Sequence, residues 1–152
     1  MAGGGGLTQL HVWLTMDQTT KEPLMSPKTQ IRIGWTLSAL FALFMLGASV
    51  LPKLSGMAIA DETMAALGWE GAPILLIGTL ELICTLLFLT PPTAVLGGIL
   101  MMAIYGGAIT TQLRAGSPLT SHTLFAVYLG IVMWLALWLR DPRFRAVFPL
   151  LK

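Results

Sequence analysis

Charge is what this sequence has least of. Only 11% of its 152 residues are charged, against roughly 25% in an average soluble domain. The solvent around most of the chain is therefore expected to be lipid. Cysteine is nearly absent as well: Cys84 is alone, which excludes an intramolecular disulfide. His11 and His122 are the only histidines and are too differently placed for a zinc or haem site. No metal and no cofactor is expected. The run Gly3 to Gly6 follows no strand, so it is not a nucleotide fingerprint. No segment shows the period-2 alternation of a membrane barrel. A net charge of +2 makes no case for nucleic acid as a partner.

What is present is apolar and long. A helix needs about 20 mostly apolar residues to cross the hydrocarbon of a bilayer. Four segments qualify, at about 33–52, 72–90, 93–113 and 121–139. Pro91-Pro92 ends the second, because proline cannot continue the backbone ladder. Arg114 stops the third, and Arg140-Asp141-Pro142 stops the fourth. The predicted fold class is all-α: an integral membrane four-helix bundle with short connections over residues 26–152, behind a disordered N-terminal tail at 1–25. Met25-Ser26-Pro27 reads as a start, a helix cap and an N1 proline, so Met1 and Met25 both stand as start positions.

The basic residues set an orientation. With four spans, one side holds Lys21, Lys28, Arg32, Arg140, Arg143, Arg145 and Lys152, and the other only Lys53 and Arg114. The positive-inside rule then puts both termini in the cytoplasm, in a multi-pass protein of the cell membrane. The loop from Leu54 to Gly71 faces out, either as a short interfacial helix over Asp61–Leu67 ended by Gly68 or as an irregular lid on the bundle mouth. Ala103, Gly107 and Thr111 lie four apart, with Gly98 and Gly106 on a neighbouring stripe. Such stripes let helices approach closely, within one chain or across a homo-oligomer seam.

Glu81 is the one carboxylate inside a span. Hydrocarbon disfavours its ionised form, so it is expected to be neutral unless a cation or water reaches it. Counting helical rise puts Glu81 roughly 12 Å below the outer end of its span. Gly106, Gly107, Gly130 and the stretch from Met45 to Gly47 reach the same depth. Small residues from three neighbouring helices can leave a cavity there, opening outward. Gln112, Arg114, His122 and Tyr128 lie above or beside it. These five residues, Glu81, Gln112, Arg114, His122 and Tyr128, form the candidate ligand-binding set; no catalytic residue is assigned. The plainer alternatives are that Glu81 bonds a neighbouring helix, that Arg114 snorkels, that His122 caps the fourth helix and that Tyr128 belongs to the interfacial belt.

The stretch Gly106-Gly107-Ala108-Ile109-Thr110-Thr111-Gln112-Leu113-Arg114-Ala115-Gly116-Ser117-Pro118, followed by His122-Thr123-Leu124-Phe125, Val127-Tyr128-Leu129-Gly130 and Trp138-Leu139-Arg140-Asp141-Pro142-Arg143, resembles the DoxX-like family. So do Pro52-Lys53-Leu54, Leu67-Gly68-Trp69 and the Glu81 span. The resemblance covers about Met25 to Leu151 and implies a small four-helix membrane bundle. The family takes its name from a subunit of a thiosulfate:quinone oxidoreductase; other members are linked to redox-stress complexes or to membrane-protein assembly. Fold kinship does not carry a function with it.

Three functions compete. An accessory subunit would hold a small lipophilic ligand, such as a quinone, in an outer-leaflet polar pocket. An enzyme without a cofactor would use Glu81 or His122 for acid–base work on a lipophilic substrate. An assembly factor or scaffold would act on protein partners through the outer loop and the glycine faces. Membrane lipid is a partner in all three. A cavity reaching Glu81 favours a ligand, a second titratable group beside Glu81 raises the enzyme, and a closed bundle with Glu81 bonded to backbone favours the scaffold. Transport fits least, because no internal repeat or broken helix is evident.

Overall fold

The computed structural model describes residues 25–148. The tail expected over 1–25 lies outside them except for Met25, as do Lys21 and Lys152 of the charge pattern. The described residues form helices and turns, with no strand among them.

Helix α1 runs Pro27–Phe44, with Pro27 at its first turn. Ser26 caps it by accepting the Thr29 N–H at 3.2 Å. The rod does not stop at Pro52. It passes through a widened π segment, Met45–Val50, and continues as α2, Leu51–Leu54. Together these make a continuous apolar rod from Pro27 to Leu54. The loop helix α3 spans Ala58–Ala66, starting earlier than expected, with Asp61 in its first turn rather than at its cap. Gly68 ends it at φ 69°, in the left-handed region that favours glycine.

Helix α4 is Ile74–Leu89. A 3₁₀ turn at Pro91–Thr93 follows, and α5 runs Ala94–Arg114. A second π segment, Leu119–Thr123, leads into α6, Phe125–Arg140. The short α7, Pro142–Val147, is capped by Asp141, which accepts from the Arg143 N–H at 2.8 Å. Three rods are long and apolar enough to cross a membrane: Pro27–Leu54, Pro91–Arg114 and Leu119–Arg140. The fourth, Ile74–Leu89, is apolar but shorter, at 16 residues, or roughly 24 Å of rise.

α1 packs along α6 and α4 along α5. The core between them joins Phe41, Phe88, Met101, Met133 and Leu137. Phe41 and Phe88 meet edge to face, centroids 5.3 Å apart, a favoured aromatic geometry. Outward, Leu40, Leu43, Leu75 and Ile131 stay exposed. An apolar exterior around an apolar core is what a lipid solvent selects.

The glycine contacts depart from expectation. A Cβ on Gly34 would stand 2.5 Å from the Arg140 nitrogen, and one on Gly97 would stand 2.3 Å from the Phe88 nitrogen. Backbones touch there. Gly106 and Gly107, on the stripe read as a packing face, have nothing within 4 Å of where a Cβ would sit. At Gly107 that space belongs to a cavity, and Gly106 is exposed, so neither makes a tight helix contact.

Candidate functional site

The site starts with a proline. Pro52 has no N–H, and its ring would crowd the carbonyl of Ala48 in a regular helix. The chain relieves this by widening the preceding turn, so that the Leu51 N–H reaches back to the Leu46 carbonyl. Ser49, within the widened turn, and Lys53, just beyond it, lie on one face. Lys53 Nζ donates to the Ser49 carbonyl at 3.1 Å and to Ser49 Oγ at 2.7 Å.

The same ammonium reaches across to α4. It lies 2.9 Å from Glu81 Oε2 and 3.2 Å from Oε1. Ser49 Oγ donates to Oε2 at 3.0 Å. An ammonium has three protons, so the two carboxylate contacts share one. The result is a closed ring of ammonium, hydroxyl and carboxylate. Both charged side chains are nearly buried, with 11% exposure for Lys53 and 8% for Glu81. Gly78 makes the crossing feasible, since a Cβ there would fall 2.8 Å from Lys53 Cβ.

Glu81 therefore has the cation that its burial calls for. From the sequence Lys53 is legible as a boundary charge opposite the termini and as part of Pro52-Lys53-Leu54, not as a partner of Glu81. Two signals were available: Ser49 and Lys53 are four apart, and Gly78 lies one turn from Glu81. Neither pointed to the pair until the rod was seen to run on past Pro52.

This cluster forms one wall of a cavity of about 490 Å³, a size within the usual range for small-ligand sites. Gly107, Thr111 and Gln112 of α5 form the facing wall, and Tyr105 and Phe125 contribute apolar surface. Polar groups are few here, and most are already paired. Tyr105 Oη donates to Met45 Sδ at 3.2 Å, and Thr111 Oγ1 donates to its own helix at Gly107 O. Gln112 differs: its Oε1 is buried without a partner among the described residues.

The loop between α2 and α4 covers the cavity. Thr63 and Met64 of α3, with Leu67 and Trp69 after it, line this side. Arg114 fastens that cover, its Nη2 donating to Leu67 O at 3.0 Å and Gly68 O at 3.2 Å. Of the five candidate residues, Glu81 and Gln112 are brought to one cavity. Arg114 touches the cover instead. His122 is exposed, its Nδ1 2.8 Å from Ser121 Oγ, and it does not line the cavity. Tyr128 is 46% exposed and also lies outside the lining. Among the described residues, no three His, Cys, Asp or Glu side chains converge to hold a metal.

A helical protein with three membrane-length apolar rods and a buried ion pair facing a ligand-sized cavity belongs to the small polytopic membrane proteins. A model of the DoxX-like family matches residues 36–136, and the chain belongs to that family. No curated protein and no solved structure matches the chain.

Proposed function

We propose that this protein is a membrane-embedded binding subunit that holds a small lipophilic ligand, a quinone being one such molecule, against the Lys53–Glu81 pair. In this reading all four apolar helices cross the bilayer, both termini are cytoplasmic and the cavity opens in the outer leaflet. The short Ile74–Leu89 helix spans with local thinning or tilt of its surroundings. Electrons, if the ligand carries them, pass to a partner protein, because the chain's own residues supply no redox group.

One observation carries the reading: a mostly apolar cavity lined both by the Lys53–Glu81 pair and by Gln112, whose buried Oε1 has no partner among the described residues. An orphaned buried acceptor is costly, and a ligand hydroxyl or amide hydrogen would satisfy it. The Glu81 carboxylate keeps lone pairs that a ligand hydroxyl can donate to, and the apolar lining takes a hydrocarbon body.

A second reading has its own observation. Lys53 lies within hydrogen-bond distance of Glu81, and such a pair can move a proton to and from a lipophilic substrate. His122, outside the lining, has no part in it.

Native mass spectrometry of the full chain in detergent tests the binding reading, with wild type beside Glu81→Gln and Gln112→Leu. A co-purifying small molecule that both variants lose supports it and identifies the chemistry. Finding no molecule on folded wild type, even after adding a short-chain ubiquinol analogue whose hydroxyls can donate to Gln112, rejects it. Chemical conversion of the bound molecule over time, abolished in Lys53→Met, would favour the acid–base reading.

A further inference from the structure

The far end of the bundle carries a second concavity. It measures about 320 Å³ and lies between Trp35 on α1, the Pro91-Pro92 turn and the Arg140-Asp141 end of α6, with Arg143 on its rim. Arg140 is only 6% exposed. Its guanidinium carbon sits 4.6 Å from the Trp35 ring centre and 4.4 Å from that of Phe88. Nη2 donates to the Phe88 carbonyl oxygen, one of the acceptors left open in the last turn of α4.

These contacts satisfy both faces of the guanidinium and one of its nitrogens. Nη1 is buried and has no partner among the described residues. Nor does a carboxylate pair with it directly, although the Asp141 charge lines the same cleft and acts on it from a distance. The ion pair among the described residues is Lys53–Glu81. The adjacent Asp141 accepts instead from the backbone N–H groups of Arg143 and Phe144, at 2.8 and 3.4 Å. A buried guanidinium with no direct ion pair and an unpaired Nη1 is an incomplete arrangement, because desolvating a charge is unfavourable unless an anion in contact or a full set of hydrogen bonds compensates.

Two neighbours favour an anion. Ala94 lies in the first turn of the rod that starts at Pro91 and lines the cleft, and the dipole of a helix start favours negative charge. Arg143 adds a second cation. We propose that this cleft binds a phosphate group, held by Arg140 and Arg143 against the first turn of α5. The guanidinium fork matches phosphate oxygens. Position decides for phosphate over carboxylate: the cleft lies where the apolar rods end beside Trp35 and Arg143, the level of lipid headgroups. A membrane phospholipid and a soluble phosphate ester present the same group.

The test titrates the full chain in detergent with phosphatidylglycerol, with diacylglycerol of the same chains and with glycerol 3-phosphate, counting retained molecules by native mass spectrometry. Wild type should retain phosphatidylglycerol over diacylglycerol. Arg140→Gln should weaken that by about ten- to a hundredfold, and Arg143→Gln by about tenfold, the weight of charge-assisted hydrogen bonds. If glycerol 3-phosphate binds and shows the same losses, the source is a soluble ester. If it does not bind while phosphatidylglycerol does, the source is the membrane. Equal retention of the two lipids with no binding of glycerol 3-phosphate overturns the proposal. So does unchanged phosphate affinity in the folded variants; should Arg140→Gln not fold, unchanged affinity in Arg143→Gln alone has that consequence.

Discussion

Helix α5 uses glycine in opposite ways at its two ends. At the Arg140 end, Gly97 lets backbones meet, as Gly34 does on α1, with room for nothing larger. At the Glu81 end, Gly106 and Gly107 face open space. Both π segments, Met45–Val50 and Leu119–Thr123, fall at that open end, and the loop covering it turns at Gly56, Gly68 and Gly71, all with positive φ. One end sets the helix geometry and the other gives up packing for a cavity. A small residue at helical spacing therefore marks either a contact or a void, and the neighbouring helix decides which.

The largest break in this contrast is expected from Lys53→Met, which strands Glu81 at the cavity wall. Removing one partner of a buried pair typically costs about 3–5 kcal/mol, readable as a lower midpoint of thermal unfolding in detergent. The double variant Lys53→Met with Glu81→Leu should regain most of that loss while still failing to bind ligand. A double variant as unstable as the single one would show that the pair is not what holds this wall.

Gly97→Ala attacks the packed end. Its methyl would stand 2.3 Å from a backbone nitrogen, so a loss of about 1–3 kcal/mol is expected, again by thermal unfolding. Near-neutral behaviour would mean that the α4–α5 contact yields more easily than the geometry implies. Arg114→Ala should cost about 0.5–1.5 kcal/mol at most, yet amide exchange over Ala58–Trp69 should rise clearly, because the cover loses its fastening. Protection unchanged from wild type would remove Arg114 from that role. Gly107→Ala is expected to have the smallest effect on stability and the opposite sign. With no neighbour to displace, it should stabilise the helix by roughly 0.5–1 kcal/mol while weakening ligand retention by narrowing the cavity. Destabilisation there would refute the contrast between the two ends.

Much of the fold is legible in residue order. Apolar run lengths locate the rods, Pro91-Pro92 separates two of them, and Ser26-Pro27 marks where the first begins. The end of the first rod was less legible, since a proline ordinarily closes a helix and Pro52 is absorbed by a π turn. The site was legible in part. Glu81 stood out because a carboxylate in an apolar run needs an explanation, and Gln112 lies above it toward the end of its own span. His122 and Tyr128 were placed above or beside Glu81 in the same way, but rise along a helix fixes height and not the face a side chain occupies. Their faces point away from the cavity.

By itself the sequence determined the solvent of this protein and the rough extent of its rods, because hydrophobicity and length are properties of segments. It also determined that Glu81 must find a partner, because the free energy of a buried carboxylate does not depend on which helix supplies the cation. Only the tertiary structure decided that the partner is Lys53, that Gly78 lets it pass, and that Gly97 closes one end while Gly107 leaves the other open. Those outcomes depend on the rotation of each helix about its axis and on what packs against it. Both are set by all the rods together, not by any stretch of sequence alone.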